Sequence, residues 1–260
     1  MWRRIGLRPG KTRTPSPVAV TPSPPSPRGG STVDCTASNR GLFLGILALV
    51  GVIISMIVYF VLVSAPRYAD VAVLVLSGAE MTLCLLTLVA ITLAAFRIRN
   101  MCFVRKLDRS RKLEVALLLV SLSGLLLFCV FSVIAGGVGA LTSLPSGLLT
   151  LSSALVALQA LAQTLFILCA LHRSARTVFQ AQRKPGREYV TFLLVCNLAL
   201  WGVYVFEETR MRYSPVAARF YGALPWSVIT RLTLPLAILY RFHSSVCLAT
   251  IWANIYKKNI

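Results

Sequence analysis

"RLTLPLAILYRFHSSVCLATIW", residues 231–252, is apolar along most of its length yet carries Arg241 and His243 near its middle. It belongs to a longer run, 225–255, which as a helix rises roughly 46 Å at 1.5 Å per residue. That exceeds the bilayer's hydrocarbon core of about 30 Å, so the run reads as a span that tilts, kinks at Pro235 or protrudes. Tyr240 and Arg241 then fall near its centre, with His243 slightly further in. An unpaired cation at that depth is too costly, so Arg241 requires a partner, a carbonyl cluster or water.

The rest of the chain agrees with a membrane setting. Of its 260 residues 57% are hydrophobic and 13% charged, with a mean hydropathy of +0.75. Soluble domains are roughly half apolar and about a quarter charged. Long nearly uncharged runs mark transmembrane helices, since lipid tolerates only helices or closed barrels and these runs do not alternate. Six spans are expected, at 41–64, 71–97, 113–135, 147–171, 188–207 and 225–255. Pro66, Gly136, Gly137, Pro145, Pro185 and Gly186 punctuate the gaps. The fold class is therefore all-α, a polytopic membrane protein.

A net charge of +19 does not point to nucleic acid, because no recognition motif accompanies it. The charges fall between the spans. Lys and Arg number 21 on one set of connections and termini and 4 on the other, with Arg231 and Arg241 inside the last span. The positive-inside rule then places both termini in the cytoplasm.

Residues 1–40 form a separate Pro/Ser-rich basic segment that lacks the means to build a core and is read as a disordered cytoplasmic tail. Thr14, Ser16, Thr21, Ser23 and Ser26 each precede a proline and offer phosphorylation sites that would reduce the local charge. The proline density argues against a transit peptide, and the first apolar run is too long for a signal core. The seven cysteines contain no C-x-x-C, and most lie within apolar runs, so neither a metal site nor a disulfide framework is expected. Cys102, in a basic loop beside a span, is open to reversible acylation. No paired acids, nucleophile constellation or phosphate loop suggests an enzyme, and no cofactor is expected.

The polar groups at membrane depth carry the functional reading. Glu80 is the one acid well inside a span. Gln159 and Gln163 lie one helical turn apart on one face of the fourth span, and Asn197 is near the middle of the fifth. Together with Tyr240, Arg241 and His243 they define a midplane polar layer, which suits interhelical hydrogen bonds or a transport route. For the amides packing glue is the simpler reading; for Arg241 it is not. Tyr240 divides evenly between pathway and packing roles, and a lone His243 is more simply a hydrogen-bonded group. Glu207 and Glu208, at the outer end of the fifth span, are candidate outer acids or ordinary interfacial ones.

"QTLFIL" (163–168), "REYVTFLLVCNLALWGVYVFEE" (187–208) and "PWSVITRLTLPLAILYRFHSSVCLATIW" (225–252) resemble the C-terminal part of otopetrins, the proton-selective channels. The likeness rests on Asn197 with Leu200-Trp201 and Phe206-Glu207, then Pro235, Tyr240 to Ser244, and Trp252, and covers roughly 159–256. The resemblance implies a twelve-helix family of two six-helix halves, dimers whose four bundles surround a lipid-filled centre, and proton conduction, with the plasma membrane as its site. It also implies a Gln–Asn–Tyr cluster at the interface between halves. Asn197 and Tyr240 carry over, and either Gln159 or Gln163 supplies the glutamine, with Gln163 favoured by its place in "QTLFIL". A counterpart of the N-terminal half is not seen. The chain is thus expected to conduct protons as a homo-oligomer or alongside a full-length relative. The alternative is a non-conducting half-length subunit or truncated isoform. Gly136, Gly137 and Gly139, with small residues of the fourth span, offer close-approach surfaces.

Overall fold

The computed structural model describes residues 39–103, 109–141, 143–175, 184–211 and 215–254. Seven α-helices are found there: α1 (Asn39–Val63), α2 (Ala69–Ile98), α3 (Arg109–Gly137), α4 (Leu144–Leu171), α5 (Arg187–Met211), α6 (Pro215–Tyr221) and α7 (Ala223–Asn254). All but the short α6 are long and apolar enough to cross a membrane. These six agree with the expected spans to within four residues at either end. The segment read as a disordered tail lies, apart from Asn39 and Arg40, outside the described residues.

The six long helices close into a ring. Around it the neighbours are α1, α2, α4, α3, α7 and α5, and α5 packs back on α1. Cross-contacts of α2 with α5 and of α4 with α7 fill the middle. Close approach at three seams depends on glycine. A Cβ at Gly41 would collide with the Glu188 carbonyl, and one at Gly45 would stand 2.8 Å from Val195 Cβ, so α1 meets α5 through these two residues. Gly124 likewise leaves room for Leu236 between α3 and α7. Small residues at such seams let dispersion act over more of the helix surface, which matters where lipid removes the usual hydrophobic drive between helices. Gly136 and Gly139 serve the same purpose inside the chain: built Cβ atoms there would meet Thr150 Oγ1 and Ser146 Oγ of α4, at 2.5 and 2.9 Å.

Backbone polarity is managed locally. Hydroxyls of Thr87, Ser121, Thr230 and Thr233 donate to carbonyls three or four residues back, so buried hydroxyls cost little. At the end carrying the basic loops, Cys102–Phe103 (β1) pairs antiparallel with Arg173–Ser174 (β2), tying the α2–α3 connection to the α4–α5 connection. This pair of very short strands was not expected in an all-α chain. Arg173 Nη1 donates to Ile98 O at 3.1 Å and also to Arg99 O, while Arg111 Nη1 donates to Leu171 O at 3.4 Å. These guanidiniums occupy the carbonyls that helix C-termini leave without partners. His172 is half-buried and donates from Nδ1 to Leu168 O at 2.8 Å, closing the last turn of α4. Arg187 lies over the Trp252 ring at 3.7 Å, and Trp252 Nε1 donates to Thr191 Oγ1.

The short α6, which hydropathy alone does not signal, folds against α3 and α7 at the opposite end. Its Tyr221 hydroxyl donates to Phe131 O at 3.0 Å while the ring stacks on Trp226, 6° from parallel. Partial burial raises the Tyr221 pKa, so the hydroxyl keeps its proton and remains a donor. The outside of the ring is apolar, and α1 is the least covered helix: Phe43, Leu47 and Val61 are 60% exposed or more.

Candidate functional site

Arg241 lies inside the ring and is fully buried. Its position on α7 follows from local sequence: Ala237, Tyr240, Ser244, Cys247 and Leu248 share the buried face, at helical spacing, so the guanidinium points inward with them. Nη1 donates to Gln159 Oε1 at 2.6 Å. From there a string of amides runs across two helices. Gln159 Nε2 donates to Gln163 Oε1 at 2.8 Å, and Gln163 Nε2 donates to Asn197 Oδ1 at 2.8 Å. Asn197 Nδ2 donates back to Gln163 Oε1 and to Leu193 O, at 3.0 and 2.9 Å. All three amides are fully buried.

The string has a chemical direction. Each amide carries separate donor and acceptor atoms that do not exchange roles, so it holds a fixed dipole rather than passing a proton along. What it does is spread the positive charge of Arg241 over oriented dipoles in a low-dielectric interior. Groups able to swap donor and acceptor roles lie beside it. Tyr240 OH donates to Ala160 O at 2.8 Å and shares a 2.9 Å hydrogen bond with Thr164 Oγ1. Tyr204, 2% exposed, stands within hydrogen-bonding reach of the Glu80 carboxyl. The Arg241 guanidinium carbon lies 5.4 Å from the Tyr204 ring centre and 5.8 Å from that of Tyr240, a cation–π setting.

Glu80 and Arg241 are electrostatic neighbours, yet neither is saturated. Glu80 Oε1 and the Nε and Nη2 atoms of Arg241 are buried without a hydrogen-bond partner, as is Ser244 Oγ. Most buried polar atoms in folded proteins are paired, so the unsatisfied atoms on Glu80 and Arg241 make this the candidate functional site of the ring.

Six of the residues anticipated from sequence thus come to one place: Glu80, Gln159, Gln163, Asn197, Tyr240 and Arg241. Both glutamines join the string, but Gln163 is the one bonded to Asn197. Tyr240, on α7, bonds to Thr164 and Ala160 of α4, the residues that follow Gln163 and Gln159, rather than to the amides, so the expected Gln–Asn–Tyr cluster is a Gln–Asn pair with the tyrosine bonded beside it. His243 stands apart: it faces α3, and its Nε2 donates to Glu114 O at 2.8 Å. Glu207 and Glu208 lie in the last turns of α5, and their side chains lie outside the described residues. Tyr204 and Thr164 are the members missed from sequence. Tyr204 is two helical turns beyond Asn197 on the same face, and that spacing is the signal available for it. Cys84, Cys129, Cys196 and Cys247 are free and buried, whereas Cys169 faces outward.

The family profile described as Otopetrin matches residues 1–242. Proton channel OtopLc of Drosophila melanogaster is 39% identical over 262 aligned residues, which take in 99% of this chain and 16% of that protein. Proton channel OTOP2 of Homo sapiens is 25% identical over an alignment covering 94% of this chain and 52% of that protein. Proton channel OTOP3 of Homo sapiens is 33% identical over a shorter stretch of 63 residues. The chain therefore spans about half the length of one of these relatives and about a sixth of another. With the match extending over most of its length, this chain belongs to the otopetrin family.

Proposed function

We propose that this chain forms a proton-conducting unit of a multi-pass channel, with the route running through the middle of the helix ring. The observation that carries the reading is the cluster of orphaned polar atoms on Glu80 and Arg241 deep inside that ring. A carboxyl that can take and release a proton, beside two tyrosines, a threonine and a serine, supplies exchangeable sites; the amide string supplies fixed dipoles that hold the cation in place. Selectivity follows from the narrowness of the route, in which a proton hops between polar groups while a hydrated metal ion has no room. The proton-channel names of the relatives support the same reading. Glu207 and Glu208 are the entry acids on the outer side, and exit is toward the basic loops. The basic excess on that side supports cytoplasmic termini.

Whole-cell recording under an inward proton gradient tests this. The expected result is a current whose reversal potential follows the proton gradient, reduced at least tenfold by Glu80→Gln and less so by Tyr204→Phe. A current indifferent to that gradient would sink the proposal.

A second reading has its own support. The chain covers only part of its relatives, and α1 leaves a broad apolar face uncovered. A subunit that pairs with a longer relative or with itself, without conducting alone, would bury that face. Co-purification with a longer family member, together with silence when expressed alone, would favour it.

A further inference from the structure

Between α1, α2 and α5, at the end that carries the basic loops, lies a hollow of about 350 Å³. Leu44, Leu86, Val89, Leu93 and Phe192 line it, and Arg40 and Glu188 stand at its mouth. On α2 the lining residues Leu86, Ala90 and Leu93 recur at helical spacing, and the next position on that stripe is Arg97, exposed. Arg97 Cβ lies against Gly186, 3.2 Å from a Cβ built there, which brings it to the residue before the start of α5. The hollow therefore has an apolar wall and two exposed arginines at one end. Leu44, Leu86, Val89 and Leu93 are themselves exposed, so the wall opens sideways rather than toward the interior of the ring.

We propose that this groove is a binding site for one anionic phospholipid of the leaflet that faces the basic loops. From Leu86 to Arg97 the helix rises roughly 16 Å. That matches the hydrocarbon depth of a single leaflet, about half of a core about 30 Å thick. An acyl chain laid along Leu86, Val89 and Leu93 fills the hollow while its phosphate sits level with Arg40 and Arg97. Glu188 subtracts from the attraction but leaves the mouth net positive. The Gly41 seam draws α1 onto the backbone of α5 at Glu188, beside the hollow. The site is separate from the Arg241 cluster and does not depend on what passes through the ring.

Native mass spectrometry of the whole chain, released from mild detergent after incubation with phosphatidylglycerol and phosphatidylcholine of equal acyl length, reads the site. The expected result is one retained phosphatidylglycerol in preference to phosphatidylcholine. Arg40→Ala and Arg97→Ala each lower that preference about fivefold. Glu188→Gln raises it. Val89→Trp fills the groove and loses the retained lipid of either headgroup, with helix content by circular dichroism unchanged. Glycerol 3-phosphate in excess fails to compete, which separates a lipid from a free phosphate. Equal retention of the two lipids, or a preference untouched by both arginine variants, overturns the proposal. So does efficient crosslinking of Val89→Cys between copies in native membranes, because a second chain would then occupy the groove.

Discussion

Arg241 shows how one side chain orders its surroundings. A buried cation that lost its neighbours would be expensive, and a buried carboxylate that lost its cation equally so. Arg241→Met should therefore lower stability by about 3–5 kcal/mol. Combining it with Glu80→Gln should recover part of that loss, with a coupling of about 1–3 kcal/mol between the two sites. Thermal unfolding of the four proteins in one detergent measures the cycle. Additive losses would mean that Glu80 and Arg241 do not sense each other. These two residues, with the amides, are legible in the sequence because lipid penalises every polar group it surrounds, so each survivor stands out. Tyr204 is not legible in the same way. A tyrosine near a span end is as readily an interfacial anchor as a buried hydroxyl, and only the helix face it shares with Asn197 separates the two. The outward turn of Cys169 is equally hidden, since an apolar helix in lipid has no compositional difference between its inner and outer faces.

At the scale of elements, the spans declare themselves by length and hydropathy, and their ends agree with punctuation by proline and glycine. Their neighbours in space do not. Helices apolar all round give no stripe by which to assign a packing face, so the order α1, α2, α4, α3, α7, α5 comes only from the structure. Small residues hint at seams without naming the partner. Gly41 and Gly45 meet α5 within the same chain, and Gly136 and Gly139 meet α4. Gly41→Val should cost about 1–3 kcal/mol through overpacking, because the atom in its way is a backbone carbonyl that has little freedom to move. Gly51→Val, whose built Cβ meets nothing within 4 Å, is the control and should change little. Similar melting temperatures for the two variants would contradict the seam. The paired strands at Cys102–Phe103 and Arg173–Ser174 also escape a sequence reading, since strands so short carry no alternation to detect.

For the whole molecule, the ring encloses its charged cluster and turns apolar side chains outward. Along α1 the exposed Phe43, Leu47, Val50, Ile54, Ile57 and Val61 recur at spacings of three and four, a continuous apolar stripe. If another chain covers it, Leu47→Cys and Ile54→Cys should form covalent pairs in native membranes, while Leu165→Cys, exposed on α4, should not. Equal yields at all three positions would indicate random collision. The ring order has a further consequence for biogenesis. α1 meets α2 as soon as that helix is made but waits for α5, its other neighbour, and α7, which carries the guanidinium, is made after every other helix of the ring. A translocon charges roughly 2.5–3.5 kcal/mol for an arginine at the centre of a helix. Gln159, already in place on α4, is the acceptor waiting to offset that charge. With the proposed cytoplasmic termini, Gln159→Leu should thus leave a fraction of nascent chains with α7 uninserted, visible as glycosylation of an acceptor tag placed after Asn254, and quality control would see the defect before any current was lost.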